Sequence, residues 1–85
     1  MKSFSYTIKD TVGIHARPAG LLVKEAKKYQ SRIVLTINGK SAEAAKLMAV
    51  MGLGAKCGQS VEVEIDGEDE DAAMEGIKAF FEQNL

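Results

Sequence analysis

The chain is predicted to fold as an α+β open-faced sandwich: a four-stranded antiparallel sheet with three helices on one face, in the order βαββαβα. Three observations predict it. Residues 3–9, 33–37 and 61–65 alternate apolar and polar side chains, the period of a strand with one wet face. Residues 16–30 and 69–81 instead repeat apolar side chains at helical spacing. Asn38-Gly39 joins two strand-like segments as a two-residue hairpin, because both residue types accept positive φ. Strands with one apolar face and helices with one apolar stripe bury those surfaces against each other.

The elements follow in order. Phe4, Tyr6 and Ile8 alternate with Ser3, Ser5, Thr7 and Lys9 as the first strand, and Asp10 to Ile14 form a loop containing Gly13. From Ala16 a helix is expected, with Ala19, Leu22, Val23, Ala26 and Tyr29 or Gln30 as its apolar positions and Lys24, Lys27 and Lys28 on or beside the wet face. Ile33, Leu35 and Ile37 mark the second strand, and Lys40 to Ala44 a short, weakly apolar edge strand. Ala45 to Leu53 reads as a short helix stopped by Gly54. It is apolar on nearly every side, through Leu47, Met48, Val50, Met51 and Leu53, so part of it should be exposed. Core filling by the methionines is the competing reading. Val61, Val63 and Ile65 alternate with glutamates as the last strand, and Gly67 turns the chain. Asp69, Glu70 and Asp71 favour a helix start. Ala73, Ile77, Phe80 and Phe81 supply the final stripe, which Gly76 weakens by up to ~1 kcal/mol.

Residues 1–85 read as one small domain, without repeats or linkers. A chain of this size buries only about 60% of the surface its unfolded form exposes, which leaves a thin core and favours function at the surface. The net charge of −1 conceals an uneven distribution. Arg17, Lys24, Lys27 and Lys28 gather in the first helical region, whereas Glu62, Glu64, Asp66, Glu68, Asp69, Glu70 and Asp71 follow residue 60. A basic pole of this kind steers acidic partner proteins. The single cysteine, Cys57, excludes an intrachain disulfide and fits a reducing compartment. The sequence carries neither a signal-peptide pattern nor an apolar run long enough for a membrane span. A cytoplasmic protein is therefore the expectation.

The functional signal is Gly13-Ile14-His15-Ala16-Arg17-Pro18, which contains the only histidine and the only proline. Proline suits the first turn of a helix, where its missing N–H costs nothing. His15 therefore precedes a helix terminus whose N–H groups lack helical acceptors, beside a guanidinium shaped for phosphate oxygens. Imidazole titrates near pH 6.5 and is largely nucleophilic at neutral pH. Such a group could hold a phosphoryl group without enclosing it, which points to a carrier.

Other chemistries fit less well. One histidine and one distant cysteine do not make a metal site, and no cofactor is expected. The glycines at 13, 52, 54 and 58 form no nucleotide-binding loop, since Gly52-Leu53-Gly54 follows a helical segment rather than a strand. The basic patch is modest and lacks interleaved aromatics, which argues against nucleic acid. A pure interaction module remains the rival from a different functional class.

The run at 13–18 closely resembles the active-site signature of the histidine-containing phosphocarrier proteins of the bacterial phosphoenolpyruvate-dependent sugar phosphotransferase system. Asn38-Gly39-Lys40-Ser41 is similar to that family's second hairpin, and residues 47–54 to its short helix and following glycine. The resemblance implies the same fold and a stoichiometric carrier rather than an enzyme. It implies that His15 takes phosphate on Nδ1, that Arg17 contacts it, and that the backbone N–H groups of Ala16 and Arg17 donate to it. It further implies docking through Leu47, Met48, Met51, Lys24 and Lys27. The partners would be the first enzyme of the pathway and the A domains of sugar permeases, and the chain would be monomeric and not inserted in membranes. One position departs. Where the Gram-positive branch has a serine phosphorylated by a dedicated kinase, this chain has Lys46, which implies that this regulation is absent.

Overall fold

The computed structural model describes residues 1–11, 14 and 16–85; Val12, Gly13 and His15 lie outside the described residues. The elements are β1 (Lys2–Thr7), α1 (Ala16–Ala26), β2 (Arg32–Ile37), β3 (Lys40–Glu43), α2 (Leu47–Gly52), β4 (Ser60–Asp66) and α3 (Glu70–Asn84). The strands form one antiparallel sheet in the order β1-β4-β2-β3. The predicted fold class and element order are those observed.

The register explains why one face of the sheet is dry. Phe4 pairs with Val63, Val63 with Leu35, and Leu35 with Ala42, so one row of apolar side chains crosses all four strands. The neighbouring row is Ser5, Glu62, Thr36 and Ser41 on the opposite face. Ser5 Oγ donates to Glu62 Oε1 at 3.1 Å, and the Thr36 and Ser41 hydroxyls share a hydrogen bond at 3.0 Å. A slip by one residue would exchange the two rows.

The helices cover the apolar face. Leu22, Leu35, Val50, Val63, Ile77 and Phe81 are fully buried in one continuous core. Phe81 packs edge-on against Tyr6 and Phe4, with centroids 5.4 and 6.0 Å away. Such pairs contribute about 0.5–1.5 kcal/mol beyond their buried area. The hairpin residues adopt the expected left-handed conformation, with φ of 50° at Asn38 and 81° at Gly39.

Several element boundaries differ from the sequence reading: β1 ends at Thr7 rather than Lys9 and β3 at Glu43 rather than Ala44, and two helix boundaries shift further. The second helix starts at Leu47 rather than Ala45, because the Ala44 N–H still donates to Ile33 O at 2.8 Å and keeps the chain on the sheet. Lys46 is extended, and its carbonyl accepts the first helical bond, from Val50 N–H at 3.0 Å. α1 ends at Ala26 rather than near Tyr29, where the bonds tighten: Lys28 N–H donates to Glu25 O and Tyr29 N–H to Ala26 O. The tighter turn releases the chain toward Asp69. There the Asp69 carboxylate accepts from Gln30 N–H at 2.9 Å and from Ser31 Oγ at 2.6 Å.

Candidate functional site at the start of the first helix

α1 begins at Ala16, directly after His15, and both Ala16 and Arg17 are exposed. Pro18 and Ala19 are buried, so the first turn is seated on the core while Arg17 faces solvent. Pro18 supplies a fixed φ without needing an acceptor, and the N–H groups of Ala16 and Arg17 precede the first possible helical acceptor. These donors and the Arg17 guanidinium make this end of α1 electropositive. His15 itself lies outside the described residues.

The described residues on the way into the helix are held by backbone hydrogen bonds from two directions. The Ile14 side chain is buried, and its N–H donates to Ala55 O at 3.1 Å. Ile8 is buried and exchanges backbone bonds with the 58–59 turn: its N–H donates to Gln59 O at 3.0 Å, and its carbonyl accepts from Gly58 N–H at 2.8 Å. Gly58 adopts a φ of 88° in that turn. The Cys57 thiol is free and exposed, with Sγ 3.7 Å from Lys9 O. Lys9 and Asp10 N–H groups both reach Leu85 O, at 2.6 and 2.8 Å.

α1 packs against both α2 and α3, which sets the basic helix beside the apolar one. On α2, Met48 is 79% exposed, while Leu47 and Met51 are exposed to 41% and 38%. Only Val50 of that helix is buried. Exposure, rather than core filling, is thus what becomes of the methionines. Lys24 and Lys27 are exposed and make no ion pair among the described residues, whereas Lys28 pairs with Glu25 at 3.0 Å. Lys46 Nζ lies 3.2 Å from Glu43 Oε2, and Arg32 Nε donates to Glu43 Oε1 at 2.8 Å. The hydrogen bond from Arg32, then that from Lys46, holds the Glu43 carboxyl below its ordinary range.

Sequence reasoning missed Leu21. It is 44% exposed and lies one helical turn after Arg17. With Arg17, Asp10, Pro18, Gln83 and Asn84 it lines an open hollow of about 250 Å³ between α1 and α3. Its signal was an apolar residue off the Ala19, Leu22 and Ala26 stripe.

The family model described as the phosphorylation site of the HPr component of the phosphotransferase system matches residues 2–83. The phosphocarrier protein HPr of Mycoplasma capricolum is 42% identical over 78 residues, covering 92% of this chain and 88% of that protein. The HPr of Mycoplasma genitalium is 40% identical over 85 residues, covering 99% and 97%. The crystal structure of an HPr from Thermoanaerobacter tengcongensis superposes with a TM-score of 0.92 at 35% identity, covering 98% of this chain and 93% of that one. With a match across nearly its whole length, this chain belongs to the HPr family, the histidine-containing phosphocarriers of the phosphotransferase system.

Proposed function

We propose that the protein carries its phosphoryl group on Nδ1 of His15, with Arg17 and the backbone N–H groups of Ala16 and Arg17 as phosphate contacts. The observation carrying this reading is the run Gly13 to Pro18 inside a matched phosphorylation-site family model, opening directly into a helix whose first turn leaves Arg17 exposed. The Nδ1 lone pair forms the P–N bond as the donor's bond to phosphorus breaks, and the donor keeps that electron pair. Onward transfer reverses the step: the acceptor's nucleophile takes the phosphorus and the imidazole recovers its electrons. The chain is a reactant in both steps, so it is a stoichiometric carrier.

The donor is the first enzyme of the phosphotransferase system, and the acceptors are A domains or subunits of sugar permeases. Docking uses the exposed Leu47, Met48 and Met51 together with Lys24 and Lys27. Charge supports this choice, because free lysines beside an apolar patch suit partners with an acidic rim. The setting is cytoplasmic and the working unit a monomer of one domain. No helix among the described residues is long and apolar enough to cross a membrane. Lys46 cannot serve a hydroxyl-directed kinase, so serine-linked regulation at the start of α2 is absent.

Incubation with the first enzyme and phosphoenolpyruvate tests the relay. An acid-labile, alkali-stable adduct is expected, and it disappears in His15→Ala. Partner binding with no adduct would instead favour a pure interaction module. A second incubation, with the serine kinase and ATP, should leave α2 unmodified; stoichiometric phosphate there would overturn the regulatory reading.

A further inference from the structure

Leu85 meets the site loop from the far end of the chain. Its side chain is 4% exposed and belongs to the core cluster. Its N–H donates to Phe81 O at 2.8 Å, which continues the geometry of α3. Its backbone oxygen accepts from two consecutive loop donors, Lys9 N–H at 2.6 Å and Asp10 N–H at 2.8 Å. Carbonyls at the end of a helix have no partner within it, and N–H groups in a loop have no ladder to join. Here each supplies what the other lacks.

We infer that Leu85 is a positioning residue for phosphoryl transfer, its buried side chain holding the backbone oxygen that fixes the loop leading to His15. The inference rests on the phosphocarrier reading above. Two bonds to one oxygen fix two successive peptide planes, which would otherwise keep their backbone freedom. Downstream, Ile14 N–H is tied to Ala55 O. Among the described residues, Lys9 and Asp10 are therefore tied to the end of α3, and Ile14 to Ala55. Reaction at a carried phosphate depends on near-attack geometry, and a loosened anchor lowers the fraction of molecules that present it. Leu85 touches no reacting atom in this scheme; it acts through Lys9 and Asp10.

The test compares wild type with Leu85→Ala and, as a milder truncation in a folded chain, Leu85→Val. Amide exchange at Lys9 and Asp10 should accelerate by about tenfold or more in Leu85→Ala relative to core amides. The maximal rate of transfer should fall several-fold, with the KM for the donor protein unchanged. Leu85→Val should show the same pattern, smaller. Ile65→Val, which trims the core at the end of β4 paired with Lys2, should lower stability without changing transfer. Wild-type transfer in Leu85→Ala despite faster exchange at Lys9 and Asp10 would overturn the inference alone, as would equal slowing by Ile65→Val. Absence of an adduct in wild type would overturn the phosphocarrier reading and this inference together.

Discussion

The Tyr29 hydroxyl occupies the space that a side chain at residue 76 would need. A Cβ built on Gly76 overlaps that oxygen and lies 2.8 Å from Tyr29 Cζ. The hydroxyl is held there by donating to Glu25 Oε2 at 2.9 Å. At an open helix position, Gly→Ala stabilises by up to about 1 kcal/mol. Here the sign should reverse. Gly76→Ala is expected to destabilise by about 1–3 kcal/mol, the range for overpacking. Tyr29→Phe in the same chain should recover part of that loss, so the double mutant is less destabilised than the sum of the singles. Urea denaturation of the four variants checks it; a stabilised Gly76→Ala would show that the tyrosine moves away freely.

Arg17 should matter for transfer and not for folding. Its side chain is exposed on the first turn of α1, and exposed substitutions usually change stability by less than about 0.5 kcal/mol. Hydrogen bonds to charged groups contribute about 1.5–3 kcal/mol, which corresponds to a loss of roughly tenfold to a hundredfold in rate. Arg17→Ala should show that loss in a reconstituted transfer assay, with an unchanged denaturation midpoint. Equal transfer rates would remove Arg17 from the phosphate site.

Met48 gives the cleanest test of docking. At 79% exposure it contributes little to the core, so Met48→Asp should leave stability within about 0.5 kcal/mol. A methionine buried at an interface contributes about 1.5–3 kcal/mol, so affinity for the first enzyme should fall tenfold or more. Calorimetric titration reads this directly, and unchanged affinity would place the side chain outside the interface.

The sheet and its register were legible because Phe4, Tyr6, Ile8, Ile33, Leu35, Ile37, Val61, Val63 and Ile65 alternate with other residues, and one pairing turns them all to the same face. The candidate site was proposed from sequence because its chemistry-bearing side chains are neighbours there: histidine, arginine and proline fall within four positions of each other. Long-range partners were not legible. Gly76 read as a mild helix defect because nothing in sequence places Tyr29 against it. Asp69 read as helix-start charge, while its carboxylate in fact ties Gln30 and Ser31, nearly forty residues earlier. Leu85 carried no signal at all, since its role comes from a backbone oxygen. The boundaries of α2 were misplaced because apolar residues at 45–53 fit a helix at either end, and only the Ala44 to Ile33 bond shows where the sheet lets go.

The Asp69 contact makes stability depend on acid. Hydrogen bonds from Ser31 Oγ, then from Gln30 N–H, lower its pKa from the ordinary 3.8. A carboxyl with a lowered folded value contributes stability that is complete above its unfolded value and is lost as pH falls through the folded one. The contribution should therefore be intact at neutral pH and fade below about pH 4. Asp69→Asn should be less stable than wild type at pH 7, with the gap narrowing on acidification. Denaturation midpoints measured across that range check the sign, and a gap independent of pH would mean that the charge is not involved.

Lys46 stands at the N-cap of α2 with the right backbone and the wrong side chain. Its φ of −116° and ψ of 106° are those of a capping residue, yet its side chain makes no capping hydrogen bond. It reaches back to Glu43 instead, at 3.2 Å. A positive charge at a helix N-terminus is unfavourable by a few tenths of a kcal/mol or more, and an exposed ion pair contributes at most about 1 kcal/mol. Serine at an N-cap is about 1 kcal/mol better than a residue that cannot cap. Lys46→Ser should therefore leave stability unchanged or raise it, by up to about 1 kcal/mol, despite the lost ion pair. If the charge serves docking, the same variant should bind an acidic partner more weakly, and most clearly at low salt, where exposed charges are least screened. A stabilised variant with weaker, salt-sensitive binding would mean that this position favours partner recognition over helix stability. A destabilised variant would mean that the link from Glu43 to Lys46 holds the start of α2 more firmly than a cap could.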